Sequence, residues 1–129
     1  MDHNIRIKNS SVLYGLMSHI FDITLIEIMM WIAETYGLCI TESWRGRRHK
    51  NDLHGLIEPR ANDIRSWFYR SDKAKEIEAA INKRWIYDPF RPKMKVAWIH
   101  DSGQGEHFHI QTHLNTVRRF NHASNDKGS

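Results

Sequence analysis

The sequence predicts an α+β domain built on a small antiparallel sheet with two or three helices. Three observations lead there. Segments of helical periodicity sit at residues 22–36 and 72–84. Short apolar or alternating runs of strand length fall at 38–44, 61–68, 94–100 and 107–114. Turn residues, DSGQG, join the last two of these runs into a predicted hairpin. Helices mixed with hairpin-connected strands, rather than a strict strand–helix alternation, point to an α+β arrangement.

Residues 1–10 read as a loose leader, and Ser10-Ser11 caps a short helix over roughly 11–19. From Asp22 to Tyr36, Thr24, Glu27, Trp31 and Glu34 recur at spacings of three and four. They form one more polar stripe on an otherwise apolar helix, so most of that helix is expected to be buried. Gly37 stands where a helix C-cap glycine belongs. Leu38–Trp44 then reads as a strand, and residues 45–60, with Gly46, Gly55 and Pro59, as a long polar loop. Ala61–Phe68 begins as a short strand. In the helix from Asp72 to Arg84, Ala74, Ile77 and Ile81, followed by Trp85, share one face. Pro89 and Pro92 interrupt the chain before the hairpin. Trp44, Trp67, Trp85 and Trp98 are expected in the core. Residues 1–114 are read as a single domain and 115–129, which end in NDKGS, as a frayed tail.

The 129 residues suffice for one hydrophobic core. Cys39 is the sole cysteine, which excludes an internal disulfide and a cysteine-based zinc cluster. It reads as a small buried hydrophobe between Leu38 and Ile40. The net charge of +4 favours anionic partners without choosing among them. Basic groups at Arg45, Arg47, Arg48 and Lys50, and at Arg118 and Arg119, are the local clusters. No nucleic-acid recognition motif accompanies them, so no specific nucleic-acid partner is expected. The apolar stretch 23–33 is too short to span a membrane. The start, MDHNIRIKNS, has no apolar run after its charges. The expectation is cytoplasmic synthesis without a signal peptide.

Nine histidines are many for this length, and His107, His109 and His113 fall within seven residues. Along a strand, His107, His109, Gln111 and His113 point to one face and Phe108, Ile110 and Thr112 to the other. The apolar set faces a core, which leaves the histidines facing a cleft or solvent. An H-x-H pair can aim two imidazoles at one metal ion, or simply line a polar strand face. Glu106 stands three residues before His109, and a carboxylate near the attacking water is what metal-assisted hydrolysis needs. Upstream, DLHG places His54 in a glycine-containing loop and RANDIR places Asp63 inside the next strand. Two histidines and an aspartate make three ligands and leave a fourth position open, as catalytic zinc sites do. His49 and His100 are the alternative ligands, whereas His113 lies about 13 Å along the strand from His109.

These segments resemble the zinc D-alanyl-D-alanine carboxypeptidases and dipeptidases and the phage L-alanyl-D-glutamate endopeptidases, which share a fold with the hedgehog signalling domain. The resemblance rests on His54-Gly55, Ala61-Asn62-Asp63 and Glu106-His107-Phe108-His109, and covers about residues 38–113. The interval from His54 to Asp63 is longer than that family usually shows. The resemblance implies Zn2+ held by His54, Asp63 and His109, with Glu106 as general base and His107 flanking the metal to steady an oxyanion. Ile40-Thr41-Glu42-Ser43-Trp44-Arg45 looks similar to the family's arginine-bearing strand end. Arg45 would then polarise the scissile carbonyl or hold a substrate carboxylate. The implied substrate is a peptidoglycan stem peptide, and the absence of an export signal suits an endolysin released to the wall by a holin. The alternative is a non-catalytic zinc-binding structural or recognition module of the same fold.

Overall fold

The structure, a computed structural model, describes residues 5–44, 53, 58–66, 69, 71–101 and 106–119. In chain order the elements are β1 (Ile5–Ile7), α1 (Ser10–Ser18), α2 (Ile23–Tyr36), β2 (Leu38–Glu42), β3 (Ala61–Arg65), α3 (Ser71–Arg84), β4 (Trp85–Ile86), β5 (Ala97–Asp101), β6 (Glu106–Gln111) and β7 (Val117–Arg118). The class is α+β, with three helices and a mostly antiparallel sheet, as the sequence predicts. The main sheet runs β1-β2-β3-β6-β5, and β4 with β7 forms a separate two-stranded ribbon.

The helix α2 starts and stops for local reasons, and α1 starts for one. Asp22 is the N-cap of α2, its Oδ2 accepting from the amide of Leu25 at 3.1 Å. Gly37 ends α2 at φ 75°, and its N–H bonds the carbonyl of Ala33. A positive φ of that size is where glycine has no side-chain penalty. Asn9, rather than Ser10 or Ser11, caps α1 by accepting from the Val12 amide.

The core lies between the helices and one face of the sheet. Leu25, Ile28 and Ile32 of α2, Ile77 and Ile81 of α3, and Ile64, Phe108 and Ile110 of the central strands are all fully buried. Burying each such side chain stabilises the fold by roughly 1.5–3 kcal/mol. Tyr69 closes this core, its hydroxyl donating to the Gly37 carbonyl at 2.6 Å. Ala74, Ile77, Ile81 and Trp85 form the buried stripe that their spacing predicts, and Cys39 is buried.

Three expectations are corrected. The leader contributes an edge strand, because Ile5, Arg6 and Ile7 pair in parallel with Leu38, Cys39 and Ile40. The sheet is therefore not wholly antiparallel. The segment expected to fray is held at its start, since Trp85 pairs with Arg118 and Ile86 with Val117. Finally, α2 is less buried than its apolar composition suggests, for Ile23, Ile26 and Met30 are exposed. They lie at spacings of three and four on the side turned from the sheet, so the polar stripe is only part of the outer face. Among the described residues no helix is long and apolar enough to cross a membrane.

The end of β2 is fixed by close packing. Gly15 of α1 meets it so tightly that a Cβ there would stand 2.5 Å from Ser43 Oγ and 2.6 Å from the Trp44 carbonyl oxygen. Ser43 Oγ donates to the Val12 carbonyl at 2.9 Å, and the Trp44 ring stacks on His19 with centroids 4.1 Å apart. These contacts fix the chain up to Trp44, next to Arg45.

Candidate metal centre

Residues directly opposite one another in paired strands share a face of the sheet. Asp63 of β3 stands opposite His109 of β6, and His109 opposite Trp98 of β5. One step along, Arg65 stands opposite His107, and His107 opposite His100. The strands therefore deliver two cross-strand rows, Asp63–His109–Trp98 and Arg65–His107–His100, to the face opposite the core. The apolar partners Ile64 and Phe108 occupy the alternate positions and anchor both strands.

A register shift extends the first row. Ile40 pairs with Ile64 but Glu42 pairs with Asp63, so one residue of β2 is extra between them. Such a bulge re-aims the side chains that follow it. Ile40 stays with the core, and Glu42 joins Asp63 on the histidine face.

The distances make Asp63 the hub. Its Oδ1 is 3.0 Å from His109 Nδ1, and its Oδ2 is 3.6 Å from His107 Nε2. The three side chains are 14%, 18% and 19% exposed, so they are sheltered yet reachable. The Trp98 ring lies 4.7 Å from the His109 ring at a tilt of 38°, and His100 meets His107 edge-on at 5.2 Å. The Trp98 ring thus packs beside the His109 ring, whose Nδ1 faces Asp63.

Asp63 Oδ1 and His109 Nδ1 are at hydrogen-bonding distance, and both belong to side-chain types that ligate zinc. With bonds of about 2.1 Å in a tetrahedral shell, two ligand atoms stand roughly 3.4 Å apart. Among the described residues no group of three His, Cys, Asp or Glu side chains is placed to hold a metal. His54 and Arg45 lie outside the described residues, as do His49 and Trp67.

Glu106 opens β6 and is exposed. It has the alternation of Phe108 and Ile110, not that of His107 and His109, so it leaves the strand toward the core side at the end of the sheet. Ser66 Oγ donates to its carbonyl oxygen at 2.9 Å and lies 3.5 Å from its carboxylate Oε1. The structure thus brings Asp63, His107 and His109 together and sets Glu106 at the rim. His113 falls beyond β6, beside Asp88 at 3.8 Å and Tyr87, away from the two rows.

No protein-family model, curated protein or solved structure matches this chain. Function therefore has to be argued from the site itself.

Sequence reading missed two contributors. Glu42 was hidden because its face depends on the bulge. Trp98, expected in the core, is half-buried beside His109. Its alternation with His100 was the available signal, since residues two apart share a face. Arg60, three residues before Asp63 in sequence, turns away and pairs with Asp22 at 2.8 Å and Glu58 at 3.1 Å.

A second network holds β3 in place. Asp22 Oδ1 accepts from Arg60 Nη1, and Oδ2 accepts from Thr112 Oγ1 at 2.7 Å as well as from Leu25. The amide of Asp22 bonds the Pro59 carbonyl, and the amide of Arg60 that of Leu53. A buried carboxylate is tolerable only with donors of this number. Here they tie the start of α2 to both flanks of the β3–β6 pair.

Proposed function

We propose that the chain is a zinc-dependent peptidase that hydrolyses a peptide bond of the peptidoglycan stem peptide, of D-alanyl-D-alanine carboxypeptidase or L-alanyl-D-glutamate endopeptidase type, on a hedgehog-type scaffold. The observation that carries the reading is the 3.0 Å approach of Asp63 and His109 from adjacent central strands. They are the two described residues of the ligand set that the sequence resemblance implies.

In this reading Asp63, His109 and His54 hold the ion. Zinc, when bound, supplies a Lewis acid and makes water a nucleophile near neutral pH. Glu106 takes the proton of the attacking water and passes it to the leaving amine. Ser66 anchors the strand end from which Glu106 reaches. His107, sheltered beside Asp63, offers its imidazole to the developing oxyanion, and Arg45 orients or polarises the substrate carbonyl. The half-buried Trp98 forms one wall and excludes water from the His109 side.

The alternative, a non-catalytic zinc-binding recognition module, draws support from one observation: Glu106 leaves β6 on the side opposite His107 and His109. Metal analysis combined with digestion separates the two. Zinc-loaded protein should cleave purified muropeptides, and a chelator should stop it. Stoichiometric zinc without cleavage of any stem peptide would favour the recognition module. Absence of zinc binding would remove both readings.

A further inference from the structure

Where the C-terminal end of α3 meets the β4–β7 ribbon, four basic residues come together. Lys83 and Arg84 belong to the last turn of α3, Arg118 stands opposite Trp85, and Arg119 follows it. Two of them have structural roles. Lys83 complements the negative end of the helix dipole. Arg119 caps α3, its Nε donating to the Lys83 carbonyl at 3.0 Å and its Nη2 lying 3.4 Å from that of Asn82.

Arg84 and Arg118 are different. The guanidinium carbon of Arg84 lies 4.8 Å from the Trp31 ring centroid and 5.9 Å from that of Trp85. It is held by aromatic faces, not by a carboxylate. Among the described residues its Nε is buried without a hydrogen-bond partner. Arg118 is exposed, and neither arginine has an ion-pair partner among the described residues. Burial and then the neighbouring Arg118 push the Arg84 pKa down, against a smaller upward pull from Tyr36. Two like charges brought together in this way repel, and an anion set between them relieves the repulsion. The arginine fork also matches phosphate oxygens bidentately.

We propose that Arg84 and Arg118 form a docking corner for a phosphodiester polyanion without bases, the chemistry of anionic cell-wall polymers. A single-stranded nucleic acid binds by stacking bases on open aromatic faces. Here Trp85 is buried and Arg84 lies over Trp31. The chain's net charge of +4 agrees with an anionic partner. The choice of a wall polymer rests on the peptidase reading, whereas the charge corner itself does not. Docking there would hold the protein within the matrix that contains its substrate.

The test is a titration of the protein with a synthetic glycerol-phosphate oligomer, at several salt concentrations. A single-stranded oligodeoxynucleotide of equal phosphate number and neutral dextran serve as comparisons. The oligomer should bind tightest and dextran not at all, with affinity falling as salt rises. Arg118→Gln, at an exposed position, should weaken binding and lower the salt slope by about one. Arg84→Gln should do the same, and Arg84→Lys less. Cleavage of a short soluble stem peptide should be unchanged in Arg118→Gln. No binding of the oligomer at low salt overturns the proposal, as does tighter binding of the oligodeoxynucleotide. Unaltered affinity in both glutamine variants also overturns it, by placing the polyanion elsewhere. Because the titration involves neither zinc nor cleavage, failure of the peptidase reading registers separately, in the zinc and digestion assays.

Discussion

Asp63 and His109 stand directly opposite each other in the β3–β6 pair, with Oδ1 and Nδ1 3.0 Å apart. Because both strands are central and anchored by Ile64, Phe108 and Ile110, this spacing belongs to the sheet and not to a loop. Asp63→Ala and His109→Ala should each lose most of the bound zinc, measured by metal analysis after gel filtration. Folding, followed by circular dichroism, should survive, because neither side chain is in the core. Full zinc retention in Asp63→Ala would make the ligand assignment wrong.

Trp98 tests whether the wall orients the ligand. Trp98→Ala leaves Asp63 and His109 intact but frees the imidazole plane. Loss of a group that orients a metal ligand typically costs about 10–100-fold in affinity. Chelator competition should show a loss in that range, and Trp98→Phe should restore most of it. Equal affinity in the alanine variant would reduce Trp98 to a cleft wall.

Two carboxylates compete for the proton-transfer role. Glu106→Gln should keep its zinc and lose on the order of 10²–10⁴-fold in kcat. Glu42, brought beside Asp63 by the bulge in β2, is the control. If Glu42→Gln shows the large loss and Glu106→Gln turns over normally, the base is Glu42, and the strand face decides the chemistry.

Asp22 is a stability prediction. Its carboxylate joins Arg60, Thr112 and the Leu25 amide, and its removal leaves a largely buried arginine with the exposed Glu58 as its ion-pair partner. Asp22→Ala should destabilise the fold by about 3 kcal/mol, lowering Tm by roughly 10 °C for a chain of this size. A change below a degree, by calorimetry, would show that water replaces the network without cost.

The Asp88 carboxyl has its own pH signature. The hydrogen bond from Arg91 Nε, at 2.9 Å, holds its pKa below the ordinary aspartate range, helped by the Phe90 amide and Asn115. A lowered folded-state pKa gives stability that is fully present above the unfolded value of about 3.9 and is lost as pH falls through the folded one. Asp88→Asn should therefore flatten that part of the acid-unfolding curve and leave the neutral-to-alkaline part parallel to wild type. An unchanged acid limb in urea titrations would contradict the linkage.

Much of this was legible along the chain. The stripe Ala74, Ile77, Ile81 and Trp85 fixed α3, because a helix returns to the same face every three or four residues. Gly37 marked the end of α2, and the alternation His107–Phe108–His109–Ile110 divided β6 into a polar and an apolar face. These are local signals, and local geometry was enough to read them. Other features depended on partners far away in sequence. Ile5–Ile7 alternates as a strand does but is only three residues long, and it became β1 by pairing with the edge of β2. The bulge that turns Glu42 toward Asp63 exists only once β2 is paired with β3. Trp98 and His109 meet because β5 and β6 come into register, and Arg118 comes to the end of α3 because β7 pairs with β4. The sequence determined which residues each face would carry, because side-chain direction follows the backbone period. The tertiary structure decided which faces would meet, because register, bulges and crossings are set by pairing between strands that the chain order alone leaves free.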